Sequence, residues 1–279
     1  MDSAPFSRIA IVGLGLIGGS IAKAAHRAWP AVHVVAIDRA PTLDAALAAG
    51  IVQERRSRVD ELAGVDLVVL ATPVPGIIEL IADCADAGLT AVVTDVGSTK
   101  RGIMRAAEGR GLAFAGGHPI AGAAYGGFEH ARADLFDGRP WLLVQGEAAG
   151  ASALDRVDAF ARGLGAAPAR IDAETHDRVM AYVSHLPQLL SSALMRAAGS
   201  AVGTSGLALS GRGFADMTRL ASSPADVWQG IFATNEDFIA EALHAFLRAL
   251  PRIGGAGTDS HDADELFSQA NDWLARMRP

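Results

Sequence analysis

Gly13-Leu-Gly15-Leu-Ile-Gly18 follows directly on the apolar run Ile9–Val12 and opens a stretch of helical character. That placement suits phosphate chemistry. Gly13 permits a tight turn, Gly15 lets a pyrophosphate approach the backbone, and Gly18 lets helix and strand pack closely. The backbone at Leu16, Ile17 and Gly18, where the helix starts, offers free N–H groups and the positive end of the helix dipole. Asp38 ends the next strand about 20 residues beyond Gly18, where a carboxylate binds the ribose hydroxyls of a dinucleotide. A carboxylate there repels a 2′-phosphate and favours NAD, while Arg39 beside it could pair with one and keeps NADP as the alternative. A glycine-rich structural turn is the alternative, against which stand the strand before it, the helix after it and the acid at the right distance.

Three further segments end apolar runs and belong at the carboxyl edge of a sheet, where ligands bind in open α/β folds. Thr72-Pro73-Val-Pro75 follows Leu67–Ala71, and its prolines serve either a ligand or the shape of the loop. Asp95-Val-Gly-Ser98-Thr-Lys100 follows Ala91–Asp95. Gly116-Gly-His118-Pro-Ile-Ala-Gly122 follows Leu112–Ala115, so His118 is expected on a loop that converges on the nicotinamide end of the dinucleotide site.

The elements that must hold these residues are legible in outline. The chain has 279 residues, half of them hydrophobic and 20% charged, enough for two domains and a sizeable core. Up to about residue 170, short Val/Ile/Leu runs alternate with Ala-rich helical segments, which predicts a parallel sheet covered on both faces. The runs are Ile9–Gly13, Val32–Asp38, Leu67–Thr72, Ala91–Asp95, Leu112–Gly116 and Trp141–Gln145, with Ala166–Ile171 as a candidate last strand. Beyond residue 172 the period turns helical. Val179, Val183, Leu186, Leu190 and Leu194 define one helix face. The predicted organisation is an α/β domain over 1–172 and an all-helical domain over 173–279, with a glycine-rich stretch at Gly254–His261 before a final helix at Ala263–Arg276.

A net charge of −7 argues against a nucleic-acid partner, which needs a basic face. One cysteine, Cys84, excludes an internal disulfide and a multi-thiolate metal site. His118, His176 and His185 lie in separate segments without ligand spacing, so no metal is expected. No signal peptide or membrane span is evident, and a cytoplasmic protein is the expectation.

Taken together, the motifs Gly13–Ser20, Asp95–Lys100, Gly117–Gly122, Leu135-Phe136, Ser184-His-Leu-Pro187 and Phe214–Trp228 resemble the prephenate/arogenate dehydrogenases of tyrosine biosynthesis. The resemblance covers nearly the whole chain. It implies a Rossmann-type dinucleotide-binding domain followed by a helical dimerisation domain, a homodimer, and NAD(P)-dependent oxidative decarboxylation of a small-molecule cyclohexadienol. In that chemistry the ring becomes aromatic as CO₂ leaves, so the enzyme mainly orients the substrate and accepts the C4 hydroxyl proton. By the same resemblance His118 is the acceptor of that proton, and Ser98 orients His118 and touches the cofactor. Arg219 binds a substrate carboxylate, as a guanidinium does in bidentate fashion; an ion pair with Asp216 is the alternative. Ser184, His185, His176 and Gln188 match positions lining the substrate pocket, and a satisfied core histidine remains the other reading of His185 and His176.

Two positions depart from the family pattern. Ala124 stands where many relatives carry a glutamate, which removes a gating ion pair to Arg219. Gln188 stands where many prephenate-preferring relatives have a histidine, and a neutral amide would tolerate either a keto or an amino side chain. Three other readings stay open. One is a hydroxyacid dehydrogenase, against which stands the presence of only two lysines, Lys23 and Lys100, both in the first domain. The others are an enzyme acting on 4-amino-4-deoxyprephenate and a non-catalytic NAD-binding protein.

Overall fold

The computed structural model describes residues 3–122, 125–146, 150–250 and 260–277. The expectations for Ala124 and for most of Gly254–His261 lie outside the described residues. Eight strands form one sheet: β1 (Arg8–Val12), β2 (His33–Ile37), β3 (Glu54–Arg55), β4 (Leu67–Leu70), β5 (Val92–Asp95), β6 (Ala113–Pro119), β7 (Pro140–Gln145) and β8 (Ala167–Arg170). Their order is β3-β2-β1-β4-β5-β6-β7-β8. Alternation along β1 explains why its run is apolar throughout. Ile9 and Ile11 face the layer that includes Ile21 and Phe160, whereas Ala10 and Val12 face the layer with Ile77 and Ile81. The helices of the first layer are α1 (Leu16–Ala28), α2 (Ala40–Ala48) and α5 (Gly150–Gly163); those of the second are α3 (Val74–Asp86) and α4 (Arg101–Ala107). Cys84 lies fully buried in the second layer, where desolvation first and Asp83 next push its thiol up to about 12.

Two expectations need correction. The sheet is not parallel throughout: β7 runs antiparallel to β6, and β8 then follows β7 in parallel. The same reversal removes His118 from a loop. It lies inside β6, opposite Leu142, because β7 continues the pairing for five positions, up to Pro119 opposite Trp141. Gly117 makes this run of chain feasible. A Cβ there would stand 2.5 Å from the Asp95 carbonyl oxygen, and its N–H donates to Asp95 Oδ1 at 3.0 Å.

Helices follow β8: α6 (Ala173–Met180), a π-helical turn (Ala181–His185), α7 (Leu186–Leu207), α8 (Arg212–Thr218), a 3₁₀ turn (Arg219–Ser222), α9 (Ala225–Thr234), α10 (Glu236–Ala249) and α11 (Ser260–Met277). The helix face read from 179 to 194 is therefore broken. A π turn inserts a residue and rotates what precedes it. Val179 and Val183 end 40% and 64% exposed, while Leu186 is buried. A smaller core of Ala181, Leu186, Phe238, Ile239 and Ala242 holds this half together. Among the described residues no helix is long and apolar enough to cross a membrane.

Candidate active site

The carboxyl ends of β1, β2, β4, β5 and β6 bring Gly13, Asp38, Thr72, the Asp95–Ser98 segment and His118 to one edge of the sheet. The chain turns from one side to the other between β1 and β4, which is where such folds form their crevice. Gly13 has φ 99°, and a Cβ on it would lie 2.6 Å from the Ala71 carbonyl oxygen. At Gly18 a Cβ would fall 1.9 Å from the Gly13 carbonyl oxygen. Gly15 differs: a Cβ would meet no atom within 4 Å and would fill open space over the start of α1. No side chain caps α1, so its first-turn N–H groups face that space unsatisfied. These residues fit a pyrophosphate. Asp38 Oδ2 accepts from the Leu14 N–H and Oδ1 from the Arg39 N–H, both at 2.6 Å, and each oxygen retains a second lone pair for a hydroxyl. The Arg39 side chain is 90% exposed. Thr72 Oγ1 is buried without a partner, and Pro73 precedes α3 at the same edge.

Behind His118 lies a polar cluster that joins the sheet to the helical half. His118 Nδ1 is 2.9 Å from His176 Nε2, and His176 Nδ1 is 2.8 Å from Asp177 Oδ1. Asp177 also accepts the Lys100 N–H at 2.6 Å and the Arg101 N–H at 2.9 Å, and so caps α4 from another element. The Lys100 ammonium, fully buried, is paired with Asp95, whose oxygens also take the Gly97 and Gly117 N–H groups. Asn235 donates from Nδ2 to the Asp177 carbonyl at 2.8 Å and lies 3.2 Å from His185 Nδ1. Arg101 closes the cluster on Asp237 and Asn235.

The electrostatics keep the rings neutral. Burial first, then the neighbouring His176, Lys100 and His185, hold His118 well below the usual imidazole value. Burial likewise lowers His176, against the pull of Asp177. His185 is pushed down to about 4, chiefly by burial. Burial pushes the Asp177 carboxyl up, but the hydrogen bonds from His176 and the two backbone amides outweigh it and leave it below the ordinary carboxylate value.

Two pocket assignments and the partner assigned to His118 change. His176 is completely buried with both ring nitrogens engaged, so it stands behind His118 and does not line a pocket. Gln188 is tied at both ends of its amide: Nε2 donates to the Leu220 carbonyl at 2.8 Å and to Ser192 Oγ at 3.1 Å, and Oε1 accepts from Ser223 Oγ at 3.1 Å. It fastens the 3₁₀ turn that begins at Arg219, and the argument for dual specificity through its free amide loses its basis. Ser98 makes no hydrogen bond to His118; the partner of that ring is His176. Ser184 is half-buried on the π turn beside His185, whose Nε2 is buried and unpartnered. Arg219 is exposed and forms no ion pair with Asp216 among the described residues.

A family model described as the prephenate dehydrogenase nucleotide-binding domain matches residues 21–169, and one described as its dimerization domain matches residues 172–270. The chain belongs to the prephenate dehydrogenase family. A prephenate dehydrogenase of Bacillus subtilis is 30% identical over 268 residues, 93% of this chain and 72% of that one. The structure of Aquifex aeolicus prephenate dehydrogenase in complex with hydroxyphenyl propionate and NAD+ superposes with a TM-score of 0.80 at 27% identity, covering 97% of this chain and 94% of that one. Synechocystis arogenate dehydrogenase gives a TM-score of 0.71 at 27% identity, over 86% of this chain and 88% of that one.

Sequence reasoning missed the supporting residues of this family member. Asp177 and Asn235, which join Asp95 and Lys100 of the Asp95–Lys100 segment in the cluster, carry no motif of their own. Asp177 had one signal, its place directly after His176. Asn235, which lies between α9 and α10, had none.

Proposed function

We propose that the protein catalyses NAD(P)-dependent oxidative decarboxylation of prephenate and/or arogenate, yielding 4-hydroxyphenylpyruvate and/or tyrosine, as a cytoplasmic homodimer. The observation that carries this reading is a neutral, half-buried imidazole, His118, at the same sheet edge as the uncapped first turn of α1. A bound nicotinamide would supply the electron acceptor. Leu16, Ile17, Gly18 and Asp38 would hold its pyrophosphate and ribose, with Thr72, Pro73 and Ser98 lining the edge between. NAD is the favoured form because of Asp38, and the exposed Arg39 guanidinium supports NADP as the second.

His118 takes the substrate hydroxyl proton on Nε2, the ring nitrogen not committed to His176. Arg219 and Ser184 bind the substrate, the first by pairing with a carboxylate. His185 adds a donor. Arg101 donates to Asn235 Oδ1, so the Asn235 amide nitrogen points at His185 Nδ1, which must accept; the proton is then on Nε2, which is buried and has no partner within the protein. Exposed Val179, Tyr182, Val183, Leu194 and Val202 on the helical half support the dimer.

Purified protein mixed with NAD or NADP and prephenate, then arogenate, is expected to generate reduced cofactor. Failure with both substrates and both cofactors would remove this reading. The ratio of kcat/KM values then assigns the preferred substrate.

A further inference from the structure

We infer that Asp177 and His176 form a positioning relay that sets the tautomer of His118, with the proton on Nδ1 and the lone pair on Nε2. The direction of each hydrogen bond follows from one end. Asp177 receives four N–H groups: from Lys100 N, His176 Nδ1, Arg101 N and Arg101 Nε at 3.3 Å. A carboxylate can only accept, so His176 carries its proton on Nδ1. A neutral His176 then presents a lone pair at Nε2, and the His118 Nδ1 that lies 2.9 Å away must donate to it. Only Nε2 of His118 is left as the base.

The opposite arrangement needs a charged His176, donating from both nitrogens. That ring is completely buried, and the Lys100 ammonium repels a second cation there. The groups around the two rings are thus Lys100 and Asp95 from the β5–α4 segment, Asp177 on α6, His185 on the π turn and Asn235 before α10. Asp177 is the only one of them that reaches His176 with a hydrogen bond. When His118 gains a proton at Nε2, its Nδ1 proton is already aimed at His176, and the charge that develops lies one imidazole from an ionised carboxylate. Serine hydrolases use a carboxylate on a histidine to the same end, in a shorter chain.

The inference rests on the function proposed above for its catalytic consequence, but its physical content is separable. The test is ¹⁵N NMR of the full chain with labelled histidine and no cofactor, the His118 signals being assigned by their loss in His118→Asn. The wild-type protein is expected to show a protonated Nδ1 and a bare Nε2 at His118. His176→Leu should populate the other tautomer. It should also lower kcat by about 100-fold or more with KM and NAD affinity within about threefold, since only the base is affected. His176→Gln keeps an acceptor oxygen and should recover kcat to within about tenfold of wild type. Both variants leave the Asp177 cap on α4 in place, so folding is preserved where Asp177→Asn would endanger it. A wild-type spectrum with the proton on Nε2 overturns the relay. So does a His176→Leu protein with the wild-type tautomer and kcat. Inactivity of the wild-type enzyme on both substrates would sink the proposed function and leave the spectrum to decide the relay.

Discussion

Asn235 decides which nitrogen of His185 carries the proton. Its Oδ1 faces the Arg101 guanidinium at 3.1 Å, so its Nδ2 lies toward His185 Nδ1 at 3.2 Å and can only donate. His185 is therefore a neutral, fully buried ring with a folded-state pKa of about 4 against 6.5 for an exposed one. Below pH 6.5 the unfolded chain binds a proton that the folded chain refuses, so stability falls as pH drops from there toward 4. The ceiling is on the order of 3 kcal/mol for this one group. Calorimetry is expected to show a lower Tm at mildly acidic than at neutral pH, with a weaker dependence in His185→Gln. An identical slope in the variant would contradict the buried neutral ring.

Replacing His118 by Asn should lower kcat by about 10²–10⁴, with NAD affinity, read by fluorescence titration, unchanged. In the wild-type enzyme kcat/KM should stay level through pH 6.5 and decline only below it, because burial and then His176, Lys100 and His185 keep the ring unprotonated. A decline centred at or above the ordinary imidazole value would refute that environment.

Gly15 and Gly18 should fail differently. Gly15→Val puts a side chain into open space over α1, so the protein should fold normally and lose NAD binding. Gly18→Ala collides with the Gly13 carbonyl at 1.9 Å and should lower Tm as well. Equal Tm losses in the two variants would show that the space over Gly15 is not a ligand cradle.

Much of this was legible in the sequence, and the reason is local. The glycine turn, the carboxylate at Asp38 and the β-branched runs each announce themselves through short-range sterics. What the sequence could not show is pairing set at long range. Whether His118 sits on a loop or a strand depends on β7, whose first residue is Pro140, and nothing near His118 signals a reversed neighbour. The π turn at Ala181–His185 likewise left no mark on the apolar pattern, so Val183 seemed inward-facing and is exposed. The roles of His176 and Gln188 were obscured because the partners that define them, His118 for the first and Leu220 and Ser223 for the second, come from other elements.

Substitutions at Arg219 and Gln188 are expected to separate binding from support. Arg219 is exposed, so Arg219→Leu should leave Tm unchanged and raise the KM for substrate by about 100-fold. Gln188→Leu removes the partner of the Ser192 and Ser223 hydroxyls and one of the two hydrogen bonds to the Leu220 carbonyl, which keeps the Ser223 N–H; this should cost about 1–3 kcal/mol of stability along with affinity. A wild-type KM in Arg219→Leu would remove that guanidinium from the site.

Val183→Glu places a charge on the 64% exposed apolar face at the π turn. Sedimentation should then show monomers where the wild type gives dimers, with the far-UV spectrum retained. A persistent dimer would move the interface elsewhere.

Because β7 runs back beside β6, the chain leaves Pro119 and re-enters the sheet at Pro140 on a single rim. On the way it lays Phe128 and Ala131 against Gly19, where a Cβ would approach either within 2.8 Å, and Arg132 donates its N–H to Ser20 Oγ at 3.0 Å. Lengthening or shortening the start of that excursion would change what overhangs the nucleotide-bearing helix. Only the part of the excursion ahead of Phe128 has that freedom, because Leu135 and Phe136 are buried in the main core and anchor the return to Pro140.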